Sequence, residues 1–279
     1  MAHDDGDAPL VIDSVTRFAP DAAGRVCVGA SHGGVYAAYL CAKAGLCGVV
    51  LHDDGIGRDG AGIAGLAYLD ALAVPAAAID HRTAVIGDGA DCMACGRLSR
   101  VNAASEALGL RAGMAVREAA ALLLDRAPPA ARRQPPPARE SRFRLEGFGA
   151  APVWALDSAS LLADSDRGTV CAIGSHGNVL GGRPETAAKA EVFAALFNDA
   201  GLGPAGPGAT RLPALDARGI AAATVSAASA RIGDGRSTAA DGVLSRVNAT
   251  AGRLGLLEGM SAPAALALLA SAWEEKRPA

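Results

Sequence analysis

Aromatic side chains are scarce: two tryptophans, three tyrosines and five phenylalanines make up 4% of 279 residues. So few rings leave little material for the stacking platforms that hold single-stranded nucleic acid. Charge of one sign is lacking too. A net charge of -3 and a pI near 6.0 provide no basic footprint for nucleic acid. No apolar run reaches membrane-spanning length, and the uncharged stretch Gly259 to Trp273 is too short and contains Pro263. The opening residues, Met1-Ala2-His3-Asp4-Asp5-Gly6-Asp7, are acidic where a secretory leader is basic and then apolar. The expectation is a soluble cytoplasmic protein with no nucleic-acid or membrane partner.

Familiar cofactor and nucleophile signatures are missing as well. There is no Walker loop, no Gly-x-Gly-x-x-Gly opening a helix after the first strand, and no Gly-x-Ser-x-Gly elbow. Of six cysteines, five lie in the first half, so they build no repeated framework. The single CxxC, Cys92-Met93-Ala94-Cys95, has no second pair to complete a zinc site and reads as small residues in a helix. Hydrophobic content of 51% and a mean hydropathy of +0.24 argue against disorder.

What the chain does have is repetition. Ser31-His32-Gly33 recurs as Ser175-His176-Gly177, Ile86-Gly87-Asp88-Gly89 as Ile232-Gly233-Asp234-Gly235, and Leu98-Ser99-Arg100-Val101-Asn102-Ala103 as Leu244-Ser245-Arg246-Val247-Asn248-Ala249. The separation is 144 residues at His32/His176 and 146 from Lys43/Lys189 onward. A register held that long implies a tandem duplication of a unit of about 125 residues, a size typical of a domain. The expected domains are 1–125 and 149–279, joined by a Pro/Arg-rich linker over 126–148. Within that linker, Ser141 to Leu145 has the pattern of a lone edge strand.

Each copy alternates short apolar runs with helical stretches. Val11 to Val15, Arg25 to Gly29, Gly48 to Leu51 and Ala76 to Ile79 read as strands, with counterparts at Trp154 to Ser158, Thr169 to Ile173, Ala194 to Phe197 and Ala222 to Val225. A helix is expected over Val35 to Ala44, with Tyr36, Leu40 and Ala44 on one face. Its second-copy counterpart starts late, near Glu185, after Gly181, Gly182 and Pro184. A final helix is expected from N-caps Asp91 and Ser237 through Leu108 and Leu254, ending at Gly109 and Gly255. The fold class is α/β: two pseudo-equivalent βαβ-type repeats, each with a largely parallel sheet flanked by helices. Whether the copies share one sheet is open.

Polar turns follow the predicted strands. In open parallel sheets, ligands bind beyond the carboxyl ends of the strands. Ser31, Gly33, His32, Asp53 and Asp88 are therefore expected on one rim, with His176, Asp199 and Asp234 on the equivalent one. A histidine titrating near neutrality beside a carboxylate is a general acid or base. His32, Asp53 and Asp88 are the catalytic candidates. Ser31, Gly33, Arg58, Asn102, His176, Asp199, Asp234 and Asn248 are the substrate-binding candidates. Asn102 and Asn248 lie on an apolar helix face, where a bond to a neighbouring turn competes with a ligand contact. Copy one is the denser in charge, with His52, Asp54, Arg58 and Asp59 where copy two has Asn198, Ala200, Pro204 and Ala205. Arg183, Glu185 and Arg236 are further binding groups near the second copy's turns.

An apolar strand ending in Ser-His-Gly resembles the histidine motif of caspase-like cysteine peptidases. That family places a cysteine at the end of the next strand, where Asp53 or Asp199 stands here, and the likeness is rejected. No cofactor is named by any motif, although His32, Asp53 and Asp88 are also a nitrogen-and-oxygen ligand set for a divalent metal. The expected activity is a small-molecule hydrolase using His/Asp acid–base chemistry on a polar or anionic ligand. Isomerase or lyase chemistry by proton transfer between the two halves is the alternative. A non-catalytic binding or assembly protein, including a homo-oligomer, is the competing class.

Overall fold

The computed structural model describes residues 8–16, 18–129, 134–203 and 209–276. The acidic first seven residues, part of the expected linker (130–133) and part of the second glycine-rich turn (204–208) lie outside them. The chain divides into two compact units, Met1–Ile56 with Gly60–Arg139, and Gly57–Asp59 with Glu140–Ala279. The second unit thus begins inside the expected linker.

The first unit has one sheet of five strands in sequential order: β1 (Leu10–Ile12), β2 (Val26–His32), β3 (Gly48–His52), β4 (Ala76–Ile79) and β5 (Leu98–Val101). β1 to β4 are parallel and β5 is antiparallel to β4. Its helices are α1 (Val35–Lys43), α2 (Gly65–Asp70), α3 (Gly89–Cys95), α4 (Ala103–Ala107) and α5 (Val116–Arg126).

The second unit has its own six-stranded sheet, so the halves do not share one. β6 (Arg142–Arg144), the lone edge strand, pairs antiparallel with β7 (Val153–Leu156). β8 (Val170–His176), β9 (Ala194–Asn198) and β10 (Ala221–Val225) continue in parallel, and β11 (Leu244–Val247) closes the sheet antiparallel. Its helices are α6 (Arg211–Asp216), α7 (Gly235–Asp241), α8 (Ala249–Arg253) and α9 (Ala262–Lys276). No described helix is long and apolar enough to cross a membrane.

Both faces of each sheet are buried, which is why the parallel strands read as continuous apolar runs. Alternate side chains go to opposite faces. Val26, Val28, Val50, Ala77 and Ile79 pack with Val116, Ala119 and Leu123 of α5, while Cys27, Val49 and Leu51 pack with Ala37, Ala38 and Cys41 of α1. The buried face of α1 is therefore its small residues rather than Tyr36 and Leu40. Gly65 of α2 lies so close that an added Cβ would stand 2.6 Å from Gly33 O and 2.7 Å from Ala38 Cβ.

Two expectations need correction. The long helix from Asp91 and Ser237 is three elements. α3 and α7 are capped three residues earlier, by Asp88 and Asp234. They end at Gly96 and Gly242, and Leu98 to Val101 and Leu244 to Val247 continue as strands. A Cβ at Gly96 would sit 2.4 Å from Cys92 O, so this exit from the helix needs glycine. Leu98 and Val101 are a helix turn apart, and the strand brings both to one core only because its register shifts opposite Ala78 and Ile79. Second, the late helix near Glu185 does not form. Gly181 and Gly182 take positive φ and Pro184 opens only a 3-10 turn, Pro184–Thr186, so irregular chain covers that face of the second sheet.

Asn102 and Asn248 cap α4 and α8 and tie them to the sheets. Asn102 Oδ1 accepts from Ala76 N and Ser105 N, both at 2.9 Å, and its Nδ2 donates to Val74 O. Asn248 accepts from Ala222 N and Ala251 N and donates to Ile220 O and, more weakly, to Leu212 O. Both amides are thus spent on backbone. Asn102→Ala and Asn248→Ala should each cost about 2–3 kcal/mol in urea unfolding, because each leaves buried backbone groups unpaired. A cost below about 0.5 kcal/mol would remove this assignment.

Candidate functional site

The parallel strands bring the polar turns to the carboxyl edge of each sheet. His32 pairs across the sheet with His52, and Gly33 N donates to His52 O. Most of the repeated polar residues at this edge do the same local job in both units. They accept backbone N–H groups that the strand ends leave without partners.

Ser31 Oγ accepts from Val15 N, as Ser175 Oγ does from Ala159 N. His32 Nδ1 accepts from Gly34 N, as His176 Nδ1 does from Asn178 N. Asp88 Oδ1 accepts from Asp91 N, as Asp234 Oδ1 does from Ser237 N. Asp53 Oδ1 accepts from Gly55 N and His81 N, as Asp199 Oδ1 does from Gly201 N and Ala227 N. Gly33 permits close approach, since a Cβ there would stand 2.7 Å from Gly62 O.

His32, Asp53 and Asp88 stand at the same edge, but among the described residues His32 bonds neither carboxylate. Burial and the neighbouring His52 pull its pKa down to about 4, so it is neutral at pH 7. With Nδ1 accepting, its proton sits on Nε2. Arg58 does not join this rim. It belongs with the second unit, where it donates to Ser229 O at 2.8 Å and lies 3.5 Å from Asp241. Of the second-unit binding candidates, Asp234 also accepts from Arg231, Arg183 donates to Leu180 O, and Arg236 lies 4.3 Å from the Phe143 ring centroid.

His52 and Asn198 form the most instructive pair. His52 Nδ1 accepts from Asp54 N, and its Nε2 bonds Ala84 O. Asn198 Oδ1 accepts from Ala200 N, and its Nδ2 donates to Ala230 O. A neutral imidazole protonated on Nε2 presents the acceptor and donor of a primary amide. His52 is therefore structural, and burial holds its pKa below the ordinary value.

One feature breaks the equivalence. Asp80-His81-Arg82 in the first unit stands where the second has Ser226-Ala227-Ala228. His81 Nδ1 lies 3.0 Å from Asp53 Oδ1 and 3.6 Å from Asp80 Oδ1. Asp53 is 1% exposed, whereas the His81 side chain keeps 21% of its surface. Burial pushes the Asp53 pKa up, but the bonds from His81 and Ser99 outweigh it and hold the carboxyl below its usual value. The bond to Asp53 raises the pKa of His81 against the opposing effect of its partial burial. Asp80 is gripped by Arg82, which brings its pKa down to about 2. The sequence pattern missed His81; subtracting the second copy from the first isolates it.

Asp53, Asp80 and His81 also offer one metal-ligand atom each, all within 4.8 Å of one another. No family model, curated protein or solved structure matches this chain.

His52→Asn should leave stability at pH 7 within about 1 kcal/mol of wild type, while His52→Ala should cost about 2 kcal/mol for the stranded backbone groups. The pH dependence has a definite sign. His32 and His52 bind protons more weakly folded than unfolded, so their stabilisation is full above pH 6.5 and is lost as pH falls below it, for His32 toward about 4. His81 works oppositely, since its raised pKa adds stability below 6.5 that fades as pH rises. Unfolding curves at pH 7 and pH 4.5 should show a smaller acid loss in His52→Asn than in wild type. Equal stability of the Ala and Asn variants at pH 7 would refute the amide-mimic role.

Proposed function

We propose that the first unit carries the acid–base centre of a small-molecule hydrolase, with His81 as general base and Asp53 orienting it. The observation that carries this reading is the 3.0 Å bond between a buried carboxylate and a half-buried imidazole at the carboxyl edge of a parallel sheet. The reading keeps Asp53 and moves the acid–base role from His32 to His81. His32 spends Nδ1 on a backbone amide and is held neutral, and Asp88 is spent on a helix cap.

The chemistry follows from the hydrogen bonds. Asp53, anionic and held by two backbone N–H groups, accepts the Nδ1 proton of His81. Neutral His81 then carries its lone pair on Nε2, which bonds no described residue. That nitrogen is placed to take a proton from water as the water attacks a polar substrate. The imidazolium formed is stabilised by Asp53 at 3.0 Å and Asp80 at 3.6 Å. Proton transfer within a substrate, as in an isomerase or lyase, would use the same pair. A metal-dependent variant would place a divalent ion among Asp53, Asp80 and His81, after opening the His81–Asp53 and Asp80–Arg82 bonds.

His81→Gln should abolish turnover in a panel of ester, amide and phosphoester substrates while moving the melting temperature by less than about 3 °C. Histidine NMR should place the His81 pKa above 6.5 in wild type, and Asp53→Asn should bring it down. Zinc or manganese raising the wild-type melting temperature, but not that of His81→Gln, would favour the metal-dependent variant. Full activity of His81→Gln, or a His81 pKa indifferent to Asp53→Asn, would sink the assignment. A panel inert throughout, with no metal effect, would favour a non-catalytic role for the strand-end turns.

A further inference from the structure

We propose that the second unit binds a small oxyanion, a carboxylate or a phosphate, on the free edge of the Arg211 guanidinium. This site is independent of the Asp53–His81 pair.

Arg211 begins α6 and is only 5% exposed. Among the described residues it has no carboxylate partner. Its Nη1 donates to the carbonyl of Thr186 at 2.9 Å and to that of Ala187, and its Cζ lies 5.2 Å from the Phe197 ring centroid. Carbonyl dipoles and a ring face ease the desolvation of a cation but do not neutralise it. Burial brings the pKa only to about 10, so the charge persists at neutral pH.

The unused donors have a definite arrangement. Among the described residues Nε is buried without an acceptor, and Nη2, on the same edge of the guanidinium, bonds none. Nε–H and Nη2–H point in parallel and are spaced to meet two oxygens of one carboxylate or phosphate. The interactions with protein are on Nη1 and on the ring face. The edge left over is the one suited to bidentate anion recognition.

The first unit acts as an internal control. The residue equivalent to Arg211 is Gly65, 146 positions earlier, where α1 leaves no room for a Cβ. Among the described residues the second unit has no α-helix at the place of α1, only the 3-10 turn Pro184–Thr186. It has Thr210 where the first has Ala64, and Asn178 where the first has Gly34. Asn178 Oδ1 accepts from Thr210 N and Oγ1, and Arg211 N donates to Gly177 O. Three polar residues absent from the first unit are thereby gathered beside the chain that leaves β8 through Ser175 and His176. This is the carboxyl edge of parallel strands, where α/β sheets take their ligands. Ala187 and Phe197, which Arg211 touches, and Leu212, which follows it, are buried in one apolar core. A leucine or methionine would fill such a space without a charge to compensate. The guanidinium is accounted for by an anion that it meets.

The test titrates the full chain with sodium phosphate and, in a separate arm, sodium succinate, against sodium chloride at matched ionic strength. Wild type should show a saturable shift of one arginine Nε–H resonance, assigned by its absence in Arg211→Lys. The melting temperature should rise by about 5 °C at saturation. Saturation by phosphate alone assigns the site to phosphate-bearing ligands, and by succinate alone to carboxylates. Arg211→Met, which keeps the bulk without the charge, should lose the thermal shift. If that variant does not fold, the wild-type resonance decides. No saturable shift up to about 50 mM of either anion, a dissociation constant too weak for a built site, would overturn the proposal. So would an equal thermal shift in Arg211→Met.

Discussion

Parallel strands that end inside a protein leave backbone N–H groups that water reaches poorly, and those groups must find acceptors. Most of the rest of this structure depends on that requirement. Ser31, His32, His52, Asp53, Asp88 and Asn102 each place an oxygen or a ring nitrogen against such an amide. The second unit meets it at each corresponding position. The polar residues that make the sheet edges look chemical are, for the most part, what allows the edges to be buried. Only after those obligations are met do donors and acceptors remain for anything else.

The two units differ where that obligation is absent. Asp53 and Asp199 hold the same two turns, yet only Asp53 also holds an imidazole. Gly65 and Arg211 begin equivalent helices, yet one has no side chain and the other carries a buried charge. Repeated residues explain the architecture, and the proposed chemistry rests on unrepeated ones. The first unit has a carboxylate–imidazole pair and the second a guanidinium, so the two edges differ in kind.

Much of the architecture was legible in the sequence. The apolar runs at Val26, Gly48 and Ala76 are of strand length and form strands, and the constant register marks the second set. The stretch from Asp91 to Leu108 has helix spacing, since Leu98 and Val101 are a turn apart; the bulge that lets a strand bury both leaves no sign in the pattern, and Gly96 marks the break. The helix near Glu185 does not form because Gly181 and Gly182 take positive φ and Pro184 opens only a short 3-10 turn. At the candidate site, Asp53 is legible as a residue at a strand end. His81 was missed because it sits in a turn and has no repeated partner, and Arg211 because its counterpart is a glycine. Retention in both halves drew attention to residues whose shared task is structural.

The close fit of α1 against α2 has a consequence for how such halves can diverge. A side chain at Gly65 would strike Gly33 O and Ala38 while α1 stays in place. Losing α1 alone would open a void on one face of the sheet that costs in proportion to its volume. Neither change is tolerable without the other. The helix and the residue facing it therefore have to be exchanged as a block, and a chimera whose junction falls between residues 35 and 65, or between 179 and 211, would combine a helix with an arginine in one space or leave that space empty.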